Sequence, residues 1–110
     1  MRVISGSIFD VAVDLRRTSL HYGRWVGEIL SSDDKSQLWI PEGFAHGFLA
    51  LSNNVEVMYK TTNFYNKESE LSINPFDRFI SINWDKFDLQ FIINQKDING
   101  INFSELDKFI

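Results

Sequence analysis

The sequence predicts an all-β domain, a sandwich or barrel of short antiparallel strands, on three observations. Apolar and polar residues alternate at period two in several runs, the spacing that sends successive side chains to opposite faces of a strand. Aromatics make up 15% of the 110 residues, with ten Phe, and at this density they and the β-branched residues favour pleated sheet. Turn-forming clusters separate the runs at short, regular intervals. The length suits one domain with one modest core, residues 1–110, and no repeat, low-complexity tract or linker interrupts it.

The elements follow in chain order. Arg2-Val3-Ile4 opens directly on a strand, whose edge stays exposed unless a partner pairs with it or further strands precede it. In "SIFDVAVDLR", Phe9, Val11, Val13 and Leu15 share one face, while Asp10 and Asp14 take the other. "RRTSLHYG" is a turn-rich connection to the strand "RWVGEIL". The polar loop "SSDDKS" leads to a short strand, "QLWI", stopped by Pro41. "FAHGFLAL" and "VEVMYKTT", joined at "SNN", form a predicted hairpin. From Phe64 to Asp88 the pattern weakens into loops, with a short apolar piece at Phe79–Ile82. "FSELDKFI" is the one helix-like stretch, with Ser104 placed to cap it.

Composition excludes several classes of function. A formal net charge of −4 argues against nucleic-acid binding, which draws on many Lys and Arg contacts to phosphate. With no Cys, disulfides, thiol catalysis and thiolate metal sites are out, and a reducing compartment is compatible. Apolar runs are far too short to span a bilayer, so no membrane partner is expected. Asp10 and Asp14 fall where a signal peptide needs its apolar stretch, so secretion is not expected either.

Chemistry-bearing residues are few. His46 keeps register with Phe44, Phe48 and Ala50, so it is either a core histidine satisfied by a neighbour or an imidazole lining a cavity. Gly43 and Gly47 beside it favour the cavity, since strand glycines often mark close approach of a ligand or backbone. Tyr59 alternates with Val55, Val57 and Thr61, and Tyr65 follows in the loop beyond. Taken alone Tyr59 reads as core packing, although a buried phenol also serves as a general acid. Metal binding finds little basis, because His21 and His46 are the only histidines and form no paired motif. Glu68 and Glu70 have the look of a glycosidase pair but sit with Lys67 and Ser69 in a loop, where solvated charge is the simpler account. Arg16, Arg17 and Arg24 stand out in an acidic chain, either as a phosphate clamp or as a solvated loop.

Taken together, "FDVAVDLRR", "GRWVGEILS", "QLWIPEGFAHGFLAL", "YKTTNFY" and "ESELSI" resemble, in order and spacing, the dTDP-4-dehydrorhamnose 3,5-epimerases, and "NQKD" resembles that family's Ser-x-Lys-Asp segment. The resemblance runs from about Arg2 to Asp97. It implies a cupin-like jelly roll, metal-independent and without cofactor, cytoplasmic and usually a homodimer. The implied substrate is dTDP-4-dehydro-6-deoxy-D-glucose, inverted at C3 and C5. By motif, Tyr59 matches the acid that reprotonates carbon, and Asp97 matches the carboxylate that orients the catalytic histidine, with Lys96 beside it. His46 matches a pocket-lining histidine, Tyr65 a tyrosine near sugar or nucleotide, and Glu68 an acidic residue near the nucleotide.

The family's upstream Arg-Gly-x-His-x-Gln segment, with its basic histidine and phosphate-binding arginine, is not in these residues, and His21 falls in a loop where it cannot replace it. "SINWDKF" also lacks the proline that commonly follows the tryptophan. The chain therefore reads as an N-terminally truncated, C-terminal portion of the family fold, impaired when alone for want of its base. The alternatives are a non-catalytic sugar-nucleotide-binding cupin remnant and an epimerase acting at a single carbon of a dTDP-keto-sugar.

Overall fold

The computed structural model describes residues 1–60, 71–87, 92–93 and 95–108, and of residues 107 and 108 the backbone only. It divides into two compact units, Met1–Asn63 and Phe64–Ile110.

The first unit holds two antiparallel sheets. Strands β2 (Ser7–Asp14), β3 (Trp25–Ser31) and β4 (Phe44–Ala50) form one, in the order β3-β2-β4. Strands β1 (Arg2–Ser5) and β5 (Glu56–Met58) form the other, with Val3 opposite Val57. Gly6 sits where the chain passes from one sheet to the other, at φ +82°, a left-handed conformation that a side chain resists. A Cβ there would also stand 2.6 Å from Ser52 Oγ.

The sandwich core forms where the sheets meet. Ile8 and Leu30, cross-strand neighbours, pack with Val3, and Met1, Leu38, Val55 and Val57 close around them. At about 25 cal/mol per Å2 of buried apolar surface, each such side chain contributes about 1.5–3 kcal/mol. Strand β2 is buried along its whole length from Ile8 to Asp14, on both faces. Its alternation is therefore not one of core against solvent: the face bearing Asp10 and Asp14 is as closed as the face bearing Phe9, Val11 and Val13.

Three expectations are corrected. Strands β4 and β5 do not form a hairpin, because β4 pairs with β2 and β5 with β1. The "SNN" loop instead lies across the kink at Gly6. Ser52 Oγ accepts the Ser7 N–H at 3.0 Å, and Ser5 Oγ donates to the Asn54 carbonyl at 3.2 Å. The connection thus changes sheets where β1 and β2 also part. "QLWI" is not a strand either. It supplies an isolated bridge between Gln37 and Arg2, flanked by paired hydrogen bonds between the main chains of Met1 and Leu38. The start of β1 is thereby partly covered by the chain itself.

The third correction concerns the C-terminal stretch of the second unit, Phe103–Lys108, which is a 3₁₀ helix starting one residue before Ser104. Asn102 caps it, its carbonyl accepting the Glu105 N–H at 2.9 Å. A further 3₁₀ turn spans Trp84–Phe87, and one short helix, α1, spans Gln95–Ile98. The core of this unit is Ile80, Trp84, Phe103 and Leu106 around a buried carboxylate, Asp77. Asp77 Oδ1 accepts the N–H groups of Phe79 and Ile80 at 2.9 and 3.1 Å, and Oδ2 accepts that of Phe103 at 2.7 Å.

Candidate active site

The face of the three-stranded sheet that meets β1 and β5 carries the candidate site. Residues directly opposite in a ladder share a face, so Phe44, His46 and Phe48 of β4 join Asp14, Ala12 and Asp10 of β2 on the side of Ile8. Phe44, His46 and Phe48, which keep register in the sequence, are thus on one face, and Val57 packs into the core beyond them. Tyr59 is different. It follows the last residue of β5, in the line of the other sheet, and is 65% exposed, so it is not a core residue.

His46 stands diagonally across the ladder from Asp10, within reach of a long side chain. Its Nε2 lies 2.5 Å from Asp10 Oδ1. Asp10 is completely buried, whereas 29% of the His46 side chain is exposed. The Phe48 ring flanks the imidazole at 6.3 Å between centroids, and Glu28 of β3 stands directly opposite Asp10. Asp10 was legible in the sequence only as the polar half of an alternating strand. Its position one diagonal step from the histidine is a property of the β2–β4 register, which the sequence pattern does not contain.

At the far end of the face, Asp14 and Arg16 form a two-pronged ion pair, Nε to Oδ1 at 3.0 Å and Nη2 to Oδ2 at 2.9 Å. Ser19 Oγ donates to the same carboxylate at 2.6 Å, and the guanidinium lies 4.9 Å from the centre of the Phe44 ring. The hydrogen bonds from Arg16 hold the Asp14 carboxyl far below the usual carboxylate range against the opposing effect of burial. The fork of Arg16 is therefore committed within the chain, which takes it out of the phosphate clamp considered for Arg16, Arg17 and Arg24. Arg16 also explains Gly43, which has φ +87° and where a Cβ would stand 2.7 Å from Arg16 Cγ. At Gly47, by contrast, open space lies where a Cβ would stand.

Beside this ion pair opens a cavity of about 460 Å3, its walls including Ala12, Trp25, Trp39 and Phe44 with Arg16, His21 and Arg24 at its polar side. Trp39 is 73% exposed, so the aromatic wall is open on one side. An apolar concavity with a few polar groups suits a ligand of the size of a sugar ring.

Asp97 and Lys96 lie on α1 in the second unit, both exposed. Tyr65 and Glu68, with Glu70, fall outside the described residues. Among the described residues, no three His, Asp or Glu side chains converge as a metal site would require, and no helix is long and apolar enough to cross a membrane.

Comparison with known proteins places this geometry. The family model of dTDP-4-dehydrorhamnose 3,5-epimerase matches residues 1–105. The chain belongs to this family. The 3,5-epimerase of Shigella flexneri is 49% identical over 110 residues, which are all of this chain and 60% of the relative. Among solved structures, the Mycobacterium tuberculosis epimerase aligns with a TM-score of 0.91 at 34% identity, over 97% of this chain and 54% of that one. The dTDP-6-deoxy-D-glucose-3,5-epimerase of Legionella pneumophila, solved in complex with dTDP-4-keto-L-rhamnose, aligns with a TM-score of 0.84 at 39% identity, over 97% of this chain and 56% of that one. The epimerase-family fold is thus the cupin-like jelly roll expected from the motifs, and its two sheets here are the described part of it. The chain spans little more than half the length of these epimerase relatives.

Proposed function

We propose that this chain forms the substrate-holding part of a dTDP-4-dehydrorhamnose 3,5-epimerase. It takes dTDP-4-dehydro-6-deoxy-D-glucose and inverts C3 and C5, giving dTDP-4-dehydro-L-rhamnose. The observation that carries this reading is identity of 49% to a 3,5-epimerase along the whole chain, with an aromatic-walled cavity at the Asp14–Arg16 end of the sheet that bears His46.

The chemistry follows from the C4 ketone, which acidifies the hydrogens on both neighbouring carbons. A base takes one proton, the C–H electron pair moves into a new C=C bond, and the carbonyl electrons collect on oxygen as an enolate. An acid then returns a proton to the opposite face of the carbon while the carbonyl re-forms. In this reading Tyr59 is that acid, and its exposure suits a phenol that must meet substrate. Asp97 orients the basic histidine, which by the family motif lies outside these 110 residues. His46 contacts the sugar, Tyr65 the sugar or the nucleotide and Glu68 the nucleotide, and Lys96 binds substrate beside Asp97. No metal or cofactor enters. The protein works in the cytoplasm, as a homodimer or with a partner covering β1, and residues 1–110 act as one epimerase domain.

The test is solvent deuterium incorporation at C3 and C5, followed by proton NMR. The isolated chain should be slower than a complete epimerase by about 10²–10⁴-fold, the usual cost of a missing general base. Joining it to the upstream segment of a relative should restore exchange. A completed protein that folds and binds the dTDP-sugar yet exchanges neither proton refutes the assignment and leaves a binding module.

A further inference from the structure

Asp10 is an unusual residue for the middle of a buried strand. Its side chain is fully enclosed, and among the described residues its one polar partner is His46. The second carboxylate oxygen, Oδ2, is buried with no hydrogen-bond partner among the described residues. A carboxylate closed off from water with half its acceptor capacity unused lowers stability, so packing alone does not account for it. Its neighbours do not compensate it either. On β3 the residue directly opposite is Glu28, of the same sign, and on β4 it is Phe48. What remains is the imidazole.

A carboxylate in this position accepts and does not donate, so the His46 nitrogen at 2.5 Å, Nε2, must carry a proton. That leaves Nδ1 as the nitrogen available to a ligand, on a side chain that is partly open while its carboxylate partner is sealed. Nothing in the motif resemblance assigns Asp10 a role. We propose that Asp10 is a positioning residue: it keeps the proton of His46 on Nε2 and so presents Nδ1 to the sugar of the bound nucleotide sugar. The presentation to a sugar rests on the epimerase reading above, whereas the pairing stands on geometry alone. Asp10 acts through the histidine and touches no reacting atom.

The experiment has two arms. Nitrogen-15 NMR of the folded chain at neutral pH reads the protonation of each imidazole nitrogen. With only two histidines in the sequence, His21→Gln identifies the His46 signals. The expected result is a protonated Nε2, and addition of dTDP-glucose, a non-reacting analogue, should move Nδ1 more than Nε2. A bare Nε2 overturns the proposal.

In the second arm, Asp10→Asn is isosteric but offers an amide that can turn its NH₂ toward the ring and let the proton move to Nδ1. Affinity for dTDP-glucose should then fall about tenfold, the worth of one misdirected hydrogen bond, with the melting temperature unchanged or raised. Unchanged affinity in a variant whose imidazole proton has moved overturns the proposal. Should Asp10→Asn fold poorly, the paired Asp10→Val/His46→Phe variant replaces polar by apolar groups, and it should be as stable as the wild type while losing dTDP-glucose binding. Retained binding in that variant also overturns it. A wild type that holds the Nε2 proton but ignores dTDP-glucose counts against the epimerase reading and supports the pairing alone.

Discussion

Replacing Asp77 by Ala should unravel the second unit, and the size of the effect can be worked out from its hydrogen bonds. The side chain is 7% exposed and accepts from three main-chain N–H groups. Two of those bonds, from Ile80 and Phe103, are buried, and the third is partly so. A buried donor left without an acceptor costs about 1–3 kcal/mol, so the two buried ones together cost about 2–6 kcal/mol. Relief from desolvating the carboxylate offsets part of this, which brings the expected loss to about 3 kcal/mol.

Asp77→Asn keeps one carbonyl oxygen and so serves either the Phe79–Ile80 pair or Phe103, but not both. It should lose roughly half as much. The bond to Phe103 spans 26 residues and, with the Ile73–Ile101 bridge, brackets the segment bearing α1, so Asp97 and Lys96 should lose their fixed backbone as well. Urea denaturation gives the global loss, and amide hydrogen exchange at Phe79, Ile80 and Phe103 gives the local one. An Ala variant within about 0.5 kcal/mol of wild type, or an Asn variant worse than Ala, would mean the carboxylate is not the staple described.

Gly27→Ala should destabilise the first unit by about 1–3 kcal/mol in thermal melts, because a Cβ at Gly27 would stand 2.4 Å from Phe9 Cζ, and Phe9→Leu in the same chain should recover part of the loss. Asp14 gives a pH signature. Its carboxyl titrates lower in the folded chain than in the unfolded one, mainly through Arg16, so its stabilisation is present above the unfolded value of about 3.9 and disappears as pH falls through the folded value. Asp14→Asn should therefore flatten the acid limb of the stability curve measured between about pH 5 and pH 2, and an unchanged limb would exclude Asp14 as its source. Tyr59→Phe, in a protein completed with the upstream segment, should keep dTDP-sugar affinity within about twofold and lose about 10²–10⁴-fold in turnover, read by isothermal calorimetry and proton NMR.

Much of the candidate site was legible because it is built on alternation. His46, Phe44 and Phe48 sit two apart, and any strand through them puts all three on one face. The motifs around "WIPEGFAHGF" carried the family. Asp10 was not legible, since an aspartate alternating with Phe9 and Val11 reads only as the polar face of a strand, and the β2–β4 register is what makes it a buried partner for a histidine 36 residues away. Tyr59 failed as a core residue for a similar reason: the alternation through Val55 and Val57 continues on paper, while the ladder with β1 ends at Met58 opposite Arg2.

By itself the sequence determined most of where the chain is extended, which side chains of β2 and β4 share a face, and the family to which the chain belongs. Those are local matters, settled by backbone sterics and by side-chain spacing within a few residues. Only the tertiary structure decided the pairing. A strand's hydrogen-bonding edges are the same whatever its sequence, so nothing in "FAHGFLAL" says that it lies against β2 rather than against the strand that follows it. That choice comes from the long-range burial of Val3, Ile8 and Leu30 in one core. It is the same choice that seals Asp10 beneath His46.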